Sequence, residues 1–140
     1  MPSKPLQRSK EALERDGWTC AVVERWNSFA KVRQDLFGFI DLVAIKADQP
    51  GVLAIQACAD NGGGVSDHIK KLTSVLSDEK PERGESRVRN VKEWLAAGNK
   101  LDVMGWGKRG ERGKRKVWTL RRVPITLETF SANGNATSNP

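Results

Sequence analysis

Asp41 and Gln56 are polar residues set among apolar neighbours. Asp41 stands in "FIDLVAI" (39–45) and Gln56 in "VLAIQAC" (52–58). An isolated buried carboxylate is costly, and proteins normally pair it or give it to a metal. Two further acids lie upstream: Glu24 in "WTCAVVERW" (18–26) and Asp35 in "DLFGFID" (35–41). Carboxylates with an amide oxygen make a hard, all-oxygen donor set, suited to Mg²⁺ or Mn²⁺ rather than to zinc. Such an ion lowers the pKa of a bound water and stabilises charge on a phosphodiester during hydrolysis. Simpler roles exist for each residue. Asp41 could cap a turn or pair with Arg33 or a helix-borne lysine. Gln56 could act by hydrogen bonding alone, and Asp35 could be a ligand or a loop turn-former.

Positioning these groups falls to the surrounding elements. Residues 39–45 and 52–59 read as two strands of a hairpin, apolar on both faces, as in central strands covered by helices. With residues 46–51 as the loop, Ile45 faces Val52, Asp41 faces Gln56 and Phe39 faces Cys58. Opposed residues on one face lie about 5 Å apart at Cβ, although a one-residue slip would separate the pair. The preceding stretch 18–26 alternates as a strand that puts Glu24 on the face of Trp18, Cys20, Val22 and Trp26. Residues 27–38 read as a loop. A helix is expected over 5–16, stopped by Gly17. A second is expected over 65–78, N-capped by Ser66, and a third over 86–100 after a break at "EKPERGE". Strands are expected over 101–106 and 115–125. This order predicts an α/β fold, a central mixed sheet with helices on both faces. Residues 1–127 form its one domain, and 128–140 a small, polar tail expected to be disordered.

The chain has 140 residues, 38% hydrophobic and 29% charged, with a formal net charge of +7. That balance favours a polyanion, most often nucleic acid, as partner. Residues 108–122, "KRGERGKRKVWTLRR", hold eight basic residues and one acidic. Lys108, Arg109, Arg112, Lys114, Arg115 and Lys116, with Arg33 elsewhere, are the candidates for neutralising phosphates. Trp106 and Trp118 flank this loop, either stacking on an exposed base or half-buried in their strands. No base-reading motif is present, so recognition of backbone and shape is expected. Cys20 and Cys58 read as reduced, buried thiols, and no Cys or His cluster suits zinc. His68, the sole histidine, is expected to be exposed; one histidine excludes an HNH site, and no Ser–His pair suggests a triad. No secretory signal or membrane span is legible, which implies a cytoplasmic protein.

The pattern resembles the PD-(D/E)XK nuclease superfamily, particularly its small Holliday-junction-resolvase-like and phage-type members, over roughly residues 5–107. "DLFGFIDLVAI" resembles the first motif, with Ile40-Asp41 in place of Pro-Asp. "VLAIQAC" resembles the second, with Gln56-Ala57-Cys58 in place of Glu-x-Lys. The resemblance implies a restriction-endonuclease-like αβββαβ core and an Mg²⁺- or Mn²⁺-dependent DNA endonuclease acting in the (host) cytoplasm. Its DNA could be branched, with a homodimer expected for a symmetric junction. It casts Asp41 as principal ligand, Gln56 as a ligand through its amide oxygen, and Glu24 and Asp35 as further ligands or bases. Lys70 or Lys71 would replace the missing motif lysine, with Lys46 a further lysine near the sheet. The family's helical glutamate would be Glu11 or Glu14, though Glu24 has the better strand parity. Gln56 and Cys58 carry neither charge of the motif. A non-catalytic nucleic-acid-binding protein on the same fold is therefore the rival, and a protein-interaction or inhibitor module the third reading.

Overall fold

Leu6, Ser9 and Leu13 recur at helical spacing and form the buried stripe of α1 (Lys4–Arg15). Ser3 caps this helix, its Oγ accepting from the Leu6 N–H at 3.3 Å. The structure, a computed structural model, describes residues 3–130. After α1 come β1 (Thr19–Val22), β2 (Arg25–Asn27), β3 (Val32–Gln34), β4 (Leu42–Lys46) and β5 (Gln49–Ala59). Next are α2 (Gly64–Thr73), α3 (Pro81–Ala96), β6 (Lys100–Arg109) and β7 (Val117–Ile125), followed by a helical turn at 127–130.

Among the described residues the main sheet has five strands in the order β1-β4-β5-β6-β7, and β2 and β3 form a separate two-stranded ribbon. β5 and β6 run parallel; the other neighbours are antiparallel. The expected mixed sheet with helices on both faces is therefore present. Leu6 and Leu13 of α1 pack on Leu42, Ala44, Leu53, Ile55, Met104 and Trp106. On the opposite face Val65 and Leu72 of α2 and Val91 of α3 pack on Ala54, Cys58, Leu101 and Val103. Alternation along β4 and β5 supplies both cores, which is why these strands are apolar throughout. The indole N–H of Trp106 donates to Ser9 Oγ at 3.0 Å, tying α1 to β6. Gly105 lets α2 approach closely: a Cβ there would collide with the Val65 side chain.

Several boundaries differ from the sequence expectation. The strand expected over 18–26 stops at Val22, because the N–H groups of Val23 and Glu24 both turn to the Asp41 carbonyl (3.0 and 3.1 Å). Residues 27–38, expected as loop, contain β3. The hairpin loop is shorter than 46–51: Lys46 pairs with Gln49 across a bulge that begins after Ala44. Helix α2 starts at Gly64, not Ser66. Its first turn is held by Asp60, whose Oδ1 accepts from the Val65 N–H at 3.1 Å. Pro81 begins α3 rather than breaking the chain, since the first turn has no use for its missing N–H. Phe130 packs against the core; of the expected tail, residues 131–140 lie outside the described residues.

Arg87 links α3 to the end of α2. Its guanidinium donates to both Glu79 oxygens at 2.7 Å and to the Lys71 and Ser74 carbonyls at 2.9 and 3.4 Å. Those bonds hold the Glu79 carboxyl down to about 2. Removing Arg87 leaves the Lys71 and Ser74 carbonyls and the half-buried Glu79 carboxylate without their donor. Arg87→Met should cost about 3 kcal/mol in urea unfolding, with secondary structure retained.

Candidate metal centre

Three carboxylates meet where the two-stranded ribbon leaves the main sheet. Glu24 lies between β1 and β2, Asp35 directly after β3, and Asp41 directly before β4. One oxygen from each lies within 4.8 Å of the others. The backbone dictates this convergence. A tight turn at Leu36–Ile40 closes on itself, with the Gly38 N–H donating to the Asp35 carbonyl at 3.1 Å and the Ile40 N–H to Leu36 at 3.0 Å. Asp35 and Asp41 thus stand at its two ends, and Asp35 is both turn-former and cluster member. Phe37 within the turn takes φ 55°, uncommon for a non-glycine residue. Asn90 on α3 donates to the Phe37 carbonyl at 3.1 Å, and Trp94 packs near the Phe37 and Phe39 rings.

Asp41 is buried. Its N–H donates to the Ile55 carbonyl at 3.0 Å, and its Oδ2 accepts from the Ala57 N–H at 2.9 Å. Burial, then the hydrogen bond and charge of Asp35, push its carboxyl up to about 8. Glu24 adds to the rise, while the Ala57 bond opposes it. A carboxyl so held lacks a compensating positive charge, and a divalent ion is one group that supplies it. Three hard oxygen donors in reach of one another fit such an ion. Glu24 also meets Arg33 at 3.4 Å.

The register of β4 and β5 pairs Leu42 with Ile55, Val43 with Ala54 and Ala44 with Leu53. Continued by one pair, it sets Asp41 opposite Gln56, as expected. The expected role of Gln56 is not what the geometry provides. Its Nε2 donates to the Phe39 carbonyl at 3.2 Å, and its Oε1 sits 2.8 Å from His68 Nδ1. With the amide oriented by Phe39, Oε1 accepts from an Nδ1–H tautomer, so the oxygen expected to face an ion is already engaged. Gln56→Leu leaves the Phe39 carbonyl and the imidazole N–H unpaired. It should cost about 2 kcal/mol in chemical denaturation, with His68→Leu recovering part of the loss in the double variant.

His68, expected to be exposed, is half-buried and joins Val65, Ile69 and Leu72 on the inner face of α2. Burial, then the Lys71 charge, lower its pKa. Its placement was legible in the spacing 65, 68, 69, 72. The expected lysines do not complete the cluster. Lys70 is exposed, Lys71 acts on His68 and Glu79, and neither is among the groups that shift Asp41. Lys46 lies near the Trp18 ring, 5.8 Å from its centroid. Glu11 is exposed and Glu14 pairs with Lys10 at 3.2 Å; neither belongs to the cluster. Cys58, at the motif's lysine position, is pushed up to about 11 by burial and then by Asp60 and Asp41, so its thiol stays protonated. Cys20 and Cys58 are free thiols.

The basic segment forms the tip of the β6–β7 hairpin. Lys108, Arg112, Arg115 and Lys116 are exposed there, and Lys114 meets Glu111 at 3.2 Å. Arg109 is engaged elsewhere, donating to Asp60 at 2.5 Å and so bracing the start of α2. Trp106 is buried, and Trp118 has the Arg8 guanidinium 3.8 Å from its ring centre. No helix among the described residues is long and apolar enough to cross a membrane. The chain matches no protein-family model, no curated protein and no solved structure.

Proposed function

We propose that this chain is a small metal-dependent nuclease that hydrolyses phosphodiester bonds in DNA, on a core of the PD-(D/E)XK type. The observation that carries the reading is the convergence of Glu24, Asp35 and Asp41, with Asp41 set opposite Gln56 of "IQAC". The element order supports it: helix, antiparallel β1, β4 and β5, helices, then β6 parallel to β5. Asp41 is the principal ligand for Mg²⁺ or Mn²⁺, anchored by the Ala57 N–H. Asp35 and Glu24, less buried, complete the donor set. A bound ion supplies Lewis acidity for a coordinated water and for the charge on the phosphodiester. Gln56 orients His68 and the Phe39 carbonyl rather than acting as a ligand. The exposed cations at the β6–β7 tip give the salt-dependent hold on the DNA backbone.

The rival, a nucleic-acid-binding protein without activity, rests on Gln56 and the protonated Cys58 in the motif's charged positions. Incubation with linear duplex, single-stranded and four-way DNA separates the two. Cleavage in Mn²⁺ or Mg²⁺, abolished by EDTA, is the expected result. Salt-sensitive binding with no cleavage in either metal would favour the rival. Absence of salt-sensitive binding would leave the protein-interaction reading.

A further inference from the structure

The ribbon of β2 and β3 lies outside the main sheet and has no part in either apolar core. Arg25 pairs with Gln34, Trp26 with Arg33 and Asn27 with Val32. At its tip Phe29 is fully exposed, and Trp26 is 60% exposed. This exposure is built by an ordered turn. Asn27 Oδ1 accepts from the Phe29 and Ala30 N–H groups at 3.0 and 3.1 Å, and Lys31 closes the loop at φ 55°. Between Arg25 and Gln34 three residues are basic and none is acidic. The carboxylates stand at its root: Glu24 immediately precedes β2, and Asp35 immediately follows β3.

We infer that this ribbon is a nucleic-acid grip, resting on the nuclease reading above, that stacks Phe29 and Trp26 on unpaired bases and brings the adjoining phosphates to the carboxylates. Its substrate is DNA with single-stranded or unpaired nucleotides at the cut site. Charge complementarity selects a polyanion over an apolar protein partner, because the exposed Arg25 and Lys31 flank the two rings, while Arg33 pairs with Glu24 at the ribbon's root. Aromatic faces stack on any base and so favour unpaired strands without reading sequence. A strand rises roughly 3.3 Å per residue, which puts the tip within a few nucleotides' reach of Glu24. Of the tryptophans beside the basic β6–β7 loop, Trp106 is buried, and Trp118, 44% exposed, has one ring face taken by the Arg8 guanidinium, whereas Phe29 at the ribbon tip is fully exposed.

The test is equilibrium binding of the full chain, in EDTA, to 2-aminopurine-labelled single-stranded, bubble and duplex oligonucleotides. Wild type should change 2-aminopurine fluorescence on the single strand and the bubble. Phe29→Ala and Trp26→Ala should each weaken single-strand affinity roughly tenfold, with duplex affinity unchanged. Phe29→Trp should retain the signal, which excludes misfolding as the cause of the loss. Single-strand affinity unaltered in the Phe29/Trp26 double alanine variant would overturn the inference. So would loss of self-association in sedimentation, with nucleic-acid binding intact, which would assign the ribbon to a contact between copies. Because EDTA silences metal-dependent cleavage, this titration reads the ribbon apart from the nuclease. Base stacking by a wild type that cleaves no DNA in Mn²⁺ or Mg²⁺ would preserve the ribbon's role and remove the enzyme.

Discussion

Asp41→Asn should lower Mn²⁺-dependent cleavage of DNA by about 10³-fold or more, while the protein stays folded. Asparagine has the size of aspartate, and its amide oxygen can still accept from the Ala57 N–H that Asp41 Oδ2 now holds at 2.9 Å. What disappears is the charge of the most buried member of the cluster. A loss of that size corresponds to about 4 kcal/mol of transition-state stabilisation, reasonable for the central anionic ligand of a hydrolytic ion. Glu24→Gln and Asp35→Asn should cost less, about 10- to 100-fold each. Both side chains are less buried than Asp41, and Glu24 already shares its charge with Arg33. Initial-rate assays at matched DNA saturation check the ranking. Cleavage by Asp41→Ala at the wild-type rate would remove the proposed centre.

The second large effect is on stability. Asp41 has an ordinary value of 3.8 and is pushed up to about 8 in the fold. Between those values the native state holds a proton that the unfolded chain has released. The Glu79 carboxyl, held down to about 2, takes stability away as pH falls below its ordinary 4.5, so stability without divalent metal should be greatest at about pH 4–5. It should fall as pH rises towards 8 and then level off. At about 1.4 kcal/mol per pH unit, a rise in this direction, shared with Asp35, removes a large part of a small domain's stability. Asp41→Asn should flatten this limb and be more stable than wild type at pH 8 in EDTA. Added Mn²⁺ should raise the melting temperature of wild type more at pH 8 than at pH 5, because ligand carboxyls must be deprotonated to bind. Asp41→Asn should lose most of that rise. Thermal melts across pH, with and without metal, read all of these outcomes.

The pairing of Asp41 with Gln56 was legible only through the hairpin centre assigned to residues 46–51, because strands apolar on both faces carry no alternation that fixes a register. The shorter turn did not disturb it: the bulge after Ala44 lies on the turn side of the pair. Glu24 reaches the cluster, but not by the strand parity expected: β1 ends at Val22, and Val22 and Trp26, expected on its buried face, are exposed. Asp35, legible only as one of two alternatives, proved to be both ligand candidate and turn-former. The ribbon at 25–34 was read as the end of an 18–26 strand followed by loop, because three-residue strands carry too little periodicity to stand out. The partner of Gln56 was missed for a different reason. His68 was weighed as an isolated titratable residue rather than as a member of the 65, 68, 69, 72 stripe that packs on β5. Tertiary contacts also set the start of α2, where Asp60, braced by Arg109 from another strand, takes the cap expected of Ser66.

Anomalous diffraction from crystals of the full chain soaked in Mn²⁺, wild type beside Asp41→Asn, tests the central claim most directly. The predicted result is a manganese peak among the Glu24, Asp35 and Asp41 carboxylates of the wild type that vanishes in the variant. A wild-type map with no peak at these carboxylates, or an equal peak in Asp41→Asn, would contradict it.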